Sequence, residues 1–212
     1  GLPLAAGATT INKMCGSGMK ALMLANDLLK AGAAKVMVAG GMESMSNAPY
    51  VIPKARGGLR LGHGEIKDHM FLDGLEDAYD KGQLMGVFAE ACADKYGFSR
   101  AAQDEYAIAS LTRAQQAIHS GAFAGEIAPV TISGRKGDEV VSVDEQPLKA
   151  NLDKIPTLKP AFRKDGTVTP ANASSISDGA AALVLMRESD ALAQGLTPLA
   201  RIVGHSTHAH EP

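Results

Sequence analysis

One turn constrains this chain more than any other stretch. A short β-branched run ends at Cys15, Gly16-Ser17-Gly18 follows, and an apolar helix begins at once. Glycine accepts the sharp backbone geometry and leaves room for something to approach. The spacing predicts a helix over 17–31, where Met19, Leu22, Met23, Leu24, Leu28 and Leu29 leave little polar face. Such a helix belongs in a core, and Gly32 supplies its stop. Cys15 therefore stands at a helix N-terminus, where free N–H groups and the positive end of the macrodipole favour thiolate over thiol. From the residues alone, Cys15 reads as the nucleophile of an acyl-transfer enzyme. Two other readings stand beside it. One is a structural cysteine, since free cysteine is often simply buried. The other is a dinucleotide-binding loop, because Gly16-Ser17-Gly18-Met19-Lys20-Ala21 fits G-x-G-x-x-A. Against the latter, Asn12 and Lys13 interrupt the strand such a loop should follow, and Glu43 comes late for a ribose-binding acid.

The rest of the chain alternates strand and helix, which predicts an α/β fold. Residues 8–12 read as a strand. Residues 35–39 form an apolar strand without alternation, as in a parallel strand covered on both faces, so strand, helix and strand make a βαβ unit. Gly40-Gly41 then breaks the pattern. Residues 46–66 are rich in Gly and Pro and carry Lys54, Arg56, Arg60 and His63, which reads as an excursion from the core. Residues 68–80 read as a helix whose acids, Asp73, Glu76, Asp77 and Asp80, form a solvated face. Over 84–96, Met85, Phe88, Ala89, Cys92, Ala93 and Tyr96 share one helical face, so Cys92 is expected to pack as a small apolar residue. Gly97 ends that helix, and Ser99 caps the next, which runs to Gly121. Residues 127–132 and 140–143 read as two strands joined by a turn over 134–138, and 147–163 as irregular. A core strand over 178–186, a short helix over 189–195 and a strand over 199–208 follow. The expected organisation is a first core segment over 1–45, an inserted domain over 46–176, and a return to the core over 177–212.

Composition excludes several classes. With 45% hydrophobic and 21% charged residues and a net charge of −2 over 212 residues, the chain reads as an ordinary globular protein with no footprint for nucleic acid. No apolar run approaches the roughly 18 residues a membrane span needs. The opening Gly1-Leu2-Pro3-Leu4 lacks the basic region and apolar core of a secretory signal. Cys15 and Cys92 suggest no disulfide framework, and a reducing cytoplasm fits. His205, His208 and His210 are close in sequence, and on a strand the last two share a face. That pattern reads as a surface strand end or a weak metal site; no metal-ligand spacing stands out, and no metal is expected.

Three motifs carry a resemblance. Asn12-Lys13-Met14-Cys15-Gly16-Ser17-Gly18-Met19-Lys20 resembles the acylated-cysteine motif of the thiolases, Val38-Ala39-Gly40-Gly41-Met42-Glu43-Ser44-Met45-Ser46 a second thiolase motif, and Asn172-Ala173-Ser174-Ser175-Ile176-Ser177-Asp178-Gly179-Ala180-Ala181-Ala182 a third. They stand in the right order, and the resemblance is closest to the short-chain acetyl-CoA acetyltransferases. It implies a partial layered α/β core domain with an inserted α/β loop domain. It also implies acyl transfer through a thioester on Cys15: two acetyl-CoA condense to acetoacetyl-CoA and CoA, or the reverse. The Cys15 backbone N–H is well placed as one oxyanion donor. By the resemblance, Ser174 hydrogen-bonds the pantetheine arm, Leu84 and Met85 line the thioester end of the tunnel, and Ala173 and Ile176 lie near the coenzyme. No cofactor is permanently bound; coenzyme A thioester is substrate. The resemblance further implies a homo-oligomer, dimer or tetramer, joined through the loop after residue 46, which also brings positive charge near the coenzyme entrance. No nucleic-acid or membrane partner is expected. Leu84 stands where many short-chain members carry histidine, and Pro170 where alanine is usual. The family's Gly-His-Pro histidine and second cysteine have no counterpart here, and a thiolase subunit is about twice as long. The chain alone is therefore expected to be incomplete, which keeps a non-catalytic acyl-CoA-binding or assembly fragment as the alternative. A β-ketoacyl synthase-like enzyme is a third reading, and Met42-Glu43-Ser44-Met45 argues against it.

Overall fold

A computed structural model describes residues 2–209. Helices and strands interleave as an α/β chain: α1 Ser17–Lys30, β1 Val36–Ser44, β2 Tyr50–Val51, β3 Lys67–Asp68, α2 Met85–Tyr96, α3 Arg100–Ser120, β4 Val130–Gly134, β5 Gly137–Val141, α4 Glu145–Lys149, β6 Asp178–Met186 and α5 Glu188–Ala193. Two compact units result. One takes the residues up to Gly74 together with those from Ile176 onward; the other is Leu75–Ser175. Residues 46–74, which the sequence assigns to the excursion, thus lie with the first unit.

In that unit α1 packs on β1. It ends as a Schellman motif: Gly32 takes φ +75, its N–H donates to Leu29 O at 3.1 Å, and Ala33 N–H donates to Leu28 O at 3.0 Å. Strand β1 does not join a parallel βαβ sheet. It pairs antiparallel with β6, from Val36 opposite Met186 to Ser44 opposite Asp178, and it runs through Gly40-Gly41 without breaking. An apolar run without alternation tells of burial, not of the partner's direction. Residues 8–12 and 199–208 form no strand: extended, β-branched sequence makes a strand only against a partner, and neither finds one among the described residues. The helix expected over 68–80 is replaced by β3 and a single π-turn, Phe71–Leu75. Its acids hold turns: Asp77 Oδ1 accepts from Tyr79 N and Asp80 N at 2.9 and 2.7 Å, and Glu76 Oε1 from Gly82 N at 2.6 Å.

The second unit is built on α2 and α3. Ser99 Oγ caps α3 by accepting from Ala102 N at 3.2 Å. Arg100 Nε donates to Asp104 at 2.7 Å, and its guanidinium reaches the carbonyls of Ile155 and Leu158 at 3.1 and 2.8 Å. That clamps the 3-10 turn Leu152–Thr157 to the helix start. Strands β4 and β5 form an exposed hairpin closed by Arg135-Lys136. On α2 the expected face is buried only at Ala93: Cys92 is exposed, as are Met85, Phe88, Ala89 and Tyr96, and the other buried residue is Glu90. The reason is the neighbour: the chain segment over 162–168 lies against the Gly86–Glu90 side of the helix, where Gly86 leaves the space that the Phe162 ring occupies.

The chain exposes 16901 Å². Even two closed, independent halves of its mass would together expose only about 11,000 Å². Large apolar side chains are among what is exposed: β6 is exposed over most of its length, with Leu183 and Val184 both more than half exposed. No helix among the described residues is long and apolar enough to cross a membrane.

Candidate active site

The turn that carries Cys15 is fixed by its own neighbours. Asn12 Oδ1 accepts from Met14 N at 2.9 Å. Ser17 Oγ accepts from Lys13 N at 2.8 Å and donates to Met14 O at 2.7 Å. Gly16 N donates to Lys13 O at 3.0 Å and Ser17 N to Met14 O at 3.1 Å. Between these ties Met14 is forced to φ +50, the left-handed region that a side chain normally avoids. Cys15 sits exposed on the turn, directly before Gly16, the cap residue of α1. That helix end has no side-chain cap and no acid in its first turn, so no carboxylate of its own competes for the positive pole.

Two glycines of the second motif seat this turn. Gly18 of α1 touches Gly41 of β1 backbone to backbone: a Cβ on Gly41 would lie 3.3 Å from Gly18 Cα. A Cβ on Gly40 would overlap the Ala181 carbonyl of β6. The glycines of two motifs therefore bring helix and strand pair close enough to hold the Cys15 turn on β1. The third motif closes the arrangement, since Asp178 Oδ1 accepts from Ser46 N at 2.9 Å. That amide, first among several donors, holds the Asp178 carboxyl below its ordinary value.

The remaining sequence-assigned residues fall on both units. Ile176 is exposed and lies in the unit of Cys15. Leu84, Met85, Ala173 and Ser174 lie in the other. Leu84 is the extended cap residue of α2 and is half-buried; Met85 opens the helix and is 43% exposed. Ala173 is half-buried and Ser174 exposed at the end of a loop over 167–174.

Sequence reasoning missed what fixes that loop. Glu90, 2% exposed, turns its carboxylate away from its own helix. Oε1 accepts from Thr167 N at 2.9 Å and Val168 N at 2.8 Å; Oε2 accepts from the Thr167 hydroxyl at 3.1 Å. Arg163 stands 3.6 Å from Oε2 and makes a two-pronged pair with Asp94 at 2.6 and 3.0 Å. Burial pushes the Glu90 carboxyl up, but the Thr167 and Val168 amides, the Thr167 hydroxyl and Arg163 together outweigh it and hold it below its ordinary value. Further along, Asn172 Oδ1 accepts from Thr169 N at 2.7 Å, and its Nδ2 donates to Asp104 at 3.2 Å and Thr167 O at 3.1 Å. The sequence signal was faint: an acid on the small-residue side of an amphipathic helix.

His205 Nε2 is 2.8 Å from Asp27 Oδ1 of α1, a bond that leads the lowering of the Asp27 carboxyl. His210 lies outside the described residues. Among the described residues no group of three or more metal-ligating side chains is gathered.

Residues 1–189 match the family model described as thiolase, N-terminal domain. An acetyl-CoA acetyltransferase of Pseudomonas aeruginosa is 49% identical over 214 residues, covering 100% of this chain and 54% of that protein. One from Escherichia coli is 52% identical over 206 residues, covering 96% and 52%. The structure of acetyl-CoA acetyltransferase from Syntrophomonas wolfei superimposes with a TM-score of 0.85 at 42% identity, over 94% of this chain and 50% of that one. The chain thus spans about half the length of the relatives it matches.

Proposed function

Since this chain belongs to the thiolase family, we propose that it carries the nucleophile and part of the coenzyme A site of an acetyl-CoA C-acetyltransferase. The observation that carries the reading is the strained, exposed Cys15 turn at an uncapped helix N-terminus. In the first half-reaction the Cys15 sulfur attacks the thioester carbonyl of acetyl-CoA, coenzyme A leaves as its thiol, and the acetyl group stays on Cys15. The Cys15 backbone N–H is one donor to the carbonyl oxygen. In the second, the α-carbon of another acetyl-CoA, its proton removed by a base, attacks that thioester. Acetoacetyl-CoA forms, and the cysteine is freed; thiolysis is the reverse. Ser174 holds the pantetheine arm, Leu84 and Met85 line its thioester end, and Ala173 and Ile176 flank the coenzyme. The excursion over 46–176, of which residues 46–74 and Ile176 lie in the unit of Cys15, serves coenzyme binding and subunit contact, in a cytoplasmic dimer or tetramer.

The second reading, an acyl-CoA-binding or assembly fragment, is favoured by one observation. No Gly-His-Pro occurs in the sequence, and its two Gly-His pairs are followed by Gly64 and Ser206. Without such a base the 212 residues should show no measurable condensation, and acylation of Cys15 should be slow. Incubation with acetyl-labelled acetyl-CoA and peptide mapping tests both readings. We expect label on Cys15, retained in Cys92→Ser and lost in Cys15→Ser. The exposed Cys92 is the built-in rival. Label there overturns the assignment; coenzyme binding with no label on either thiol favours the second reading.

A further inference from the structure

The Glu90 carboxylate accepts its hydrogen bonds from the segment over 167–168, 77 and 78 residues further on. A buried carboxylate that gives its own helix nothing has another task. The surroundings are shaped around it. Gly166 is needed because a Cβ there would overlap Glu90 Oε1, and one turn earlier Gly86 admits the Phe162 ring. Arg163 ties the same segment to α2 through Asp94. Beyond the clasp, Val168 and Thr169 are buried, Thr169 completely, and Ala173 N donates to Thr169 O at 3.0 Å. The chain is thus fixed without a free stretch up to the residue before Ser174. At the other end of the clasp, Leu84 and Met85 open the helix on which Glu90 stands.

We infer that Glu90 is a positioning residue that locks the Ser174 loop to α2, so that both segments of the proposed coenzyme A site are held in register by one buried carboxylate. The inference rests on the reading that Ser174 and Leu84-Met85 contact coenzyme A. A carboxylate suits the task because two adjacent backbone N–H groups and a hydroxyl converge on it, and charge-assisted bonds of this kind are roughly twice as strong as neutral ones. Glutamine keeps the shape and one accepting oxygen, and its amide N–H can donate to the Thr167 hydroxyl oxygen. Methionine keeps the bulk and accepts almost nothing, leaving two amides unpaired.

The test uses the full chain, with coenzyme A affinity by calorimetry, hydrogen exchange over 162–175, and the rate of Cys15 alkylation by iodoacetamide. Glu90→Met should weaken coenzyme A binding about tenfold or more and expose the Thr167 and Val168 amides, while Cys15 alkylation stays at its original rate. Glu90→Gln should recover most of the affinity, which a residue needed only for bulk would not distinguish from Met. If Glu90→Met binds coenzyme A as the original does while Ser174→Ala does not, the inference is overturned and the coenzyme reading stands. If Ser174→Ala also binds unchanged, the coenzyme reading falls. Exchange then judges the clasp alone, and unaltered Thr167 and Val168 protection overturns it. Should Glu90→Met not fold, Glu90→Asp, which withdraws the charge by one methylene, must show the same split.

Discussion

A methyl group placed on Gly40 is the sharpest test of how the Cys15 turn is seated. Its Cβ would overlap the Ala181 carbonyl oxygen and lie 2.9 Å from Ala182 Cα, both backbone atoms of β6. Backbone in a ladder cannot swing aside as a side chain does, so β1 and β6 must part locally. Overpacking costs about 1–3 kcal/mol, and each ladder bond stretched beside it about 1 kcal/mol more. The loss is therefore about 3–4 kcal/mol, or roughly a hundred- to a thousandfold faster amide exchange along β1 and β6. Two neighbours calibrate it. On Gly41 the Cβ meets Gly18 Cα at 3.3 Å, a tight contact that a small shift of α1 relieves. On Gly18 the nearest atom is Gly41 N at 3.8 Å, an ordinary contact, and alanine is preferred to glycine within a helix by up to about 1 kcal/mol. Hydrogen exchange on the three variants should rank Gly18→Ala as neutral or protective, Gly41→Ala as intermediate and Gly40→Ala as severe. Exchange in Gly40→Ala equal to the unsubstituted chain, or a reversed order, refutes the argument that these glycines exist for close approach.

Three further outcomes are expected. Ser17→Ala removes the acceptor of Lys13 N, so that amide should exchange about tenfold faster while the helicity of α1 by circular dichroism is unchanged. Gly86→Ala should destabilise the 75–175 unit by about 1–3 kcal/mol in urea, and much less in a Phe162→Ala background, since the ring is what the new methyl meets. The folded Glu90 carboxyl titrates below the ordinary value of 4.5, so its contribution is fully present above about pH 4.5 and is lost as pH falls through the lowered value. Urea midpoints reporting on this unit should lose that acid slope in Glu90→Gln; an identical slope in both proteins would assign it to other carboxylates, such as Asp94, which Arg163 also holds low.

Local features were legible where the signal was local. The Cys15 turn announces itself by its glycines, and the ends of α1, α2 and α3 by Gly32, Gly97 and Gly121, all of which take positive φ. The α/β class follows from alternating elements. Partnership was not legible. Val36-Met37-Val38 is equally apolar beside a parallel or an antiparallel neighbour, and only β6 decides. Residues 8–12 have strand composition and, among the described residues, no strand to meet. The buried side of α2 was misread because periodicity scores apolar side chains, whereas this side is made of a missing side chain at Gly86 and a charge at Glu90 whose donors lie far along the chain. Cys92 was drawn into the wrong face by the same rule.

The unit that seats Cys15 is assembled from two distant stretches, and this sets the order in which it can form. Ser46 and Asp178, whose bond closes it, are 132 residues apart. Joining ends across such a loop costs about 2 kcal/mol more chain entropy than across ten residues, and nothing repays it until β6 docks. The continuous unit, Leu75–Ser175, has no such wait. As the chain is synthesised, α1 and its cysteine emerge before residues 178–186, and their seat on β1 is completed only when those residues arrive. Cys15 is thus made before the strand that completes its seat and is organised only after that strand has docked.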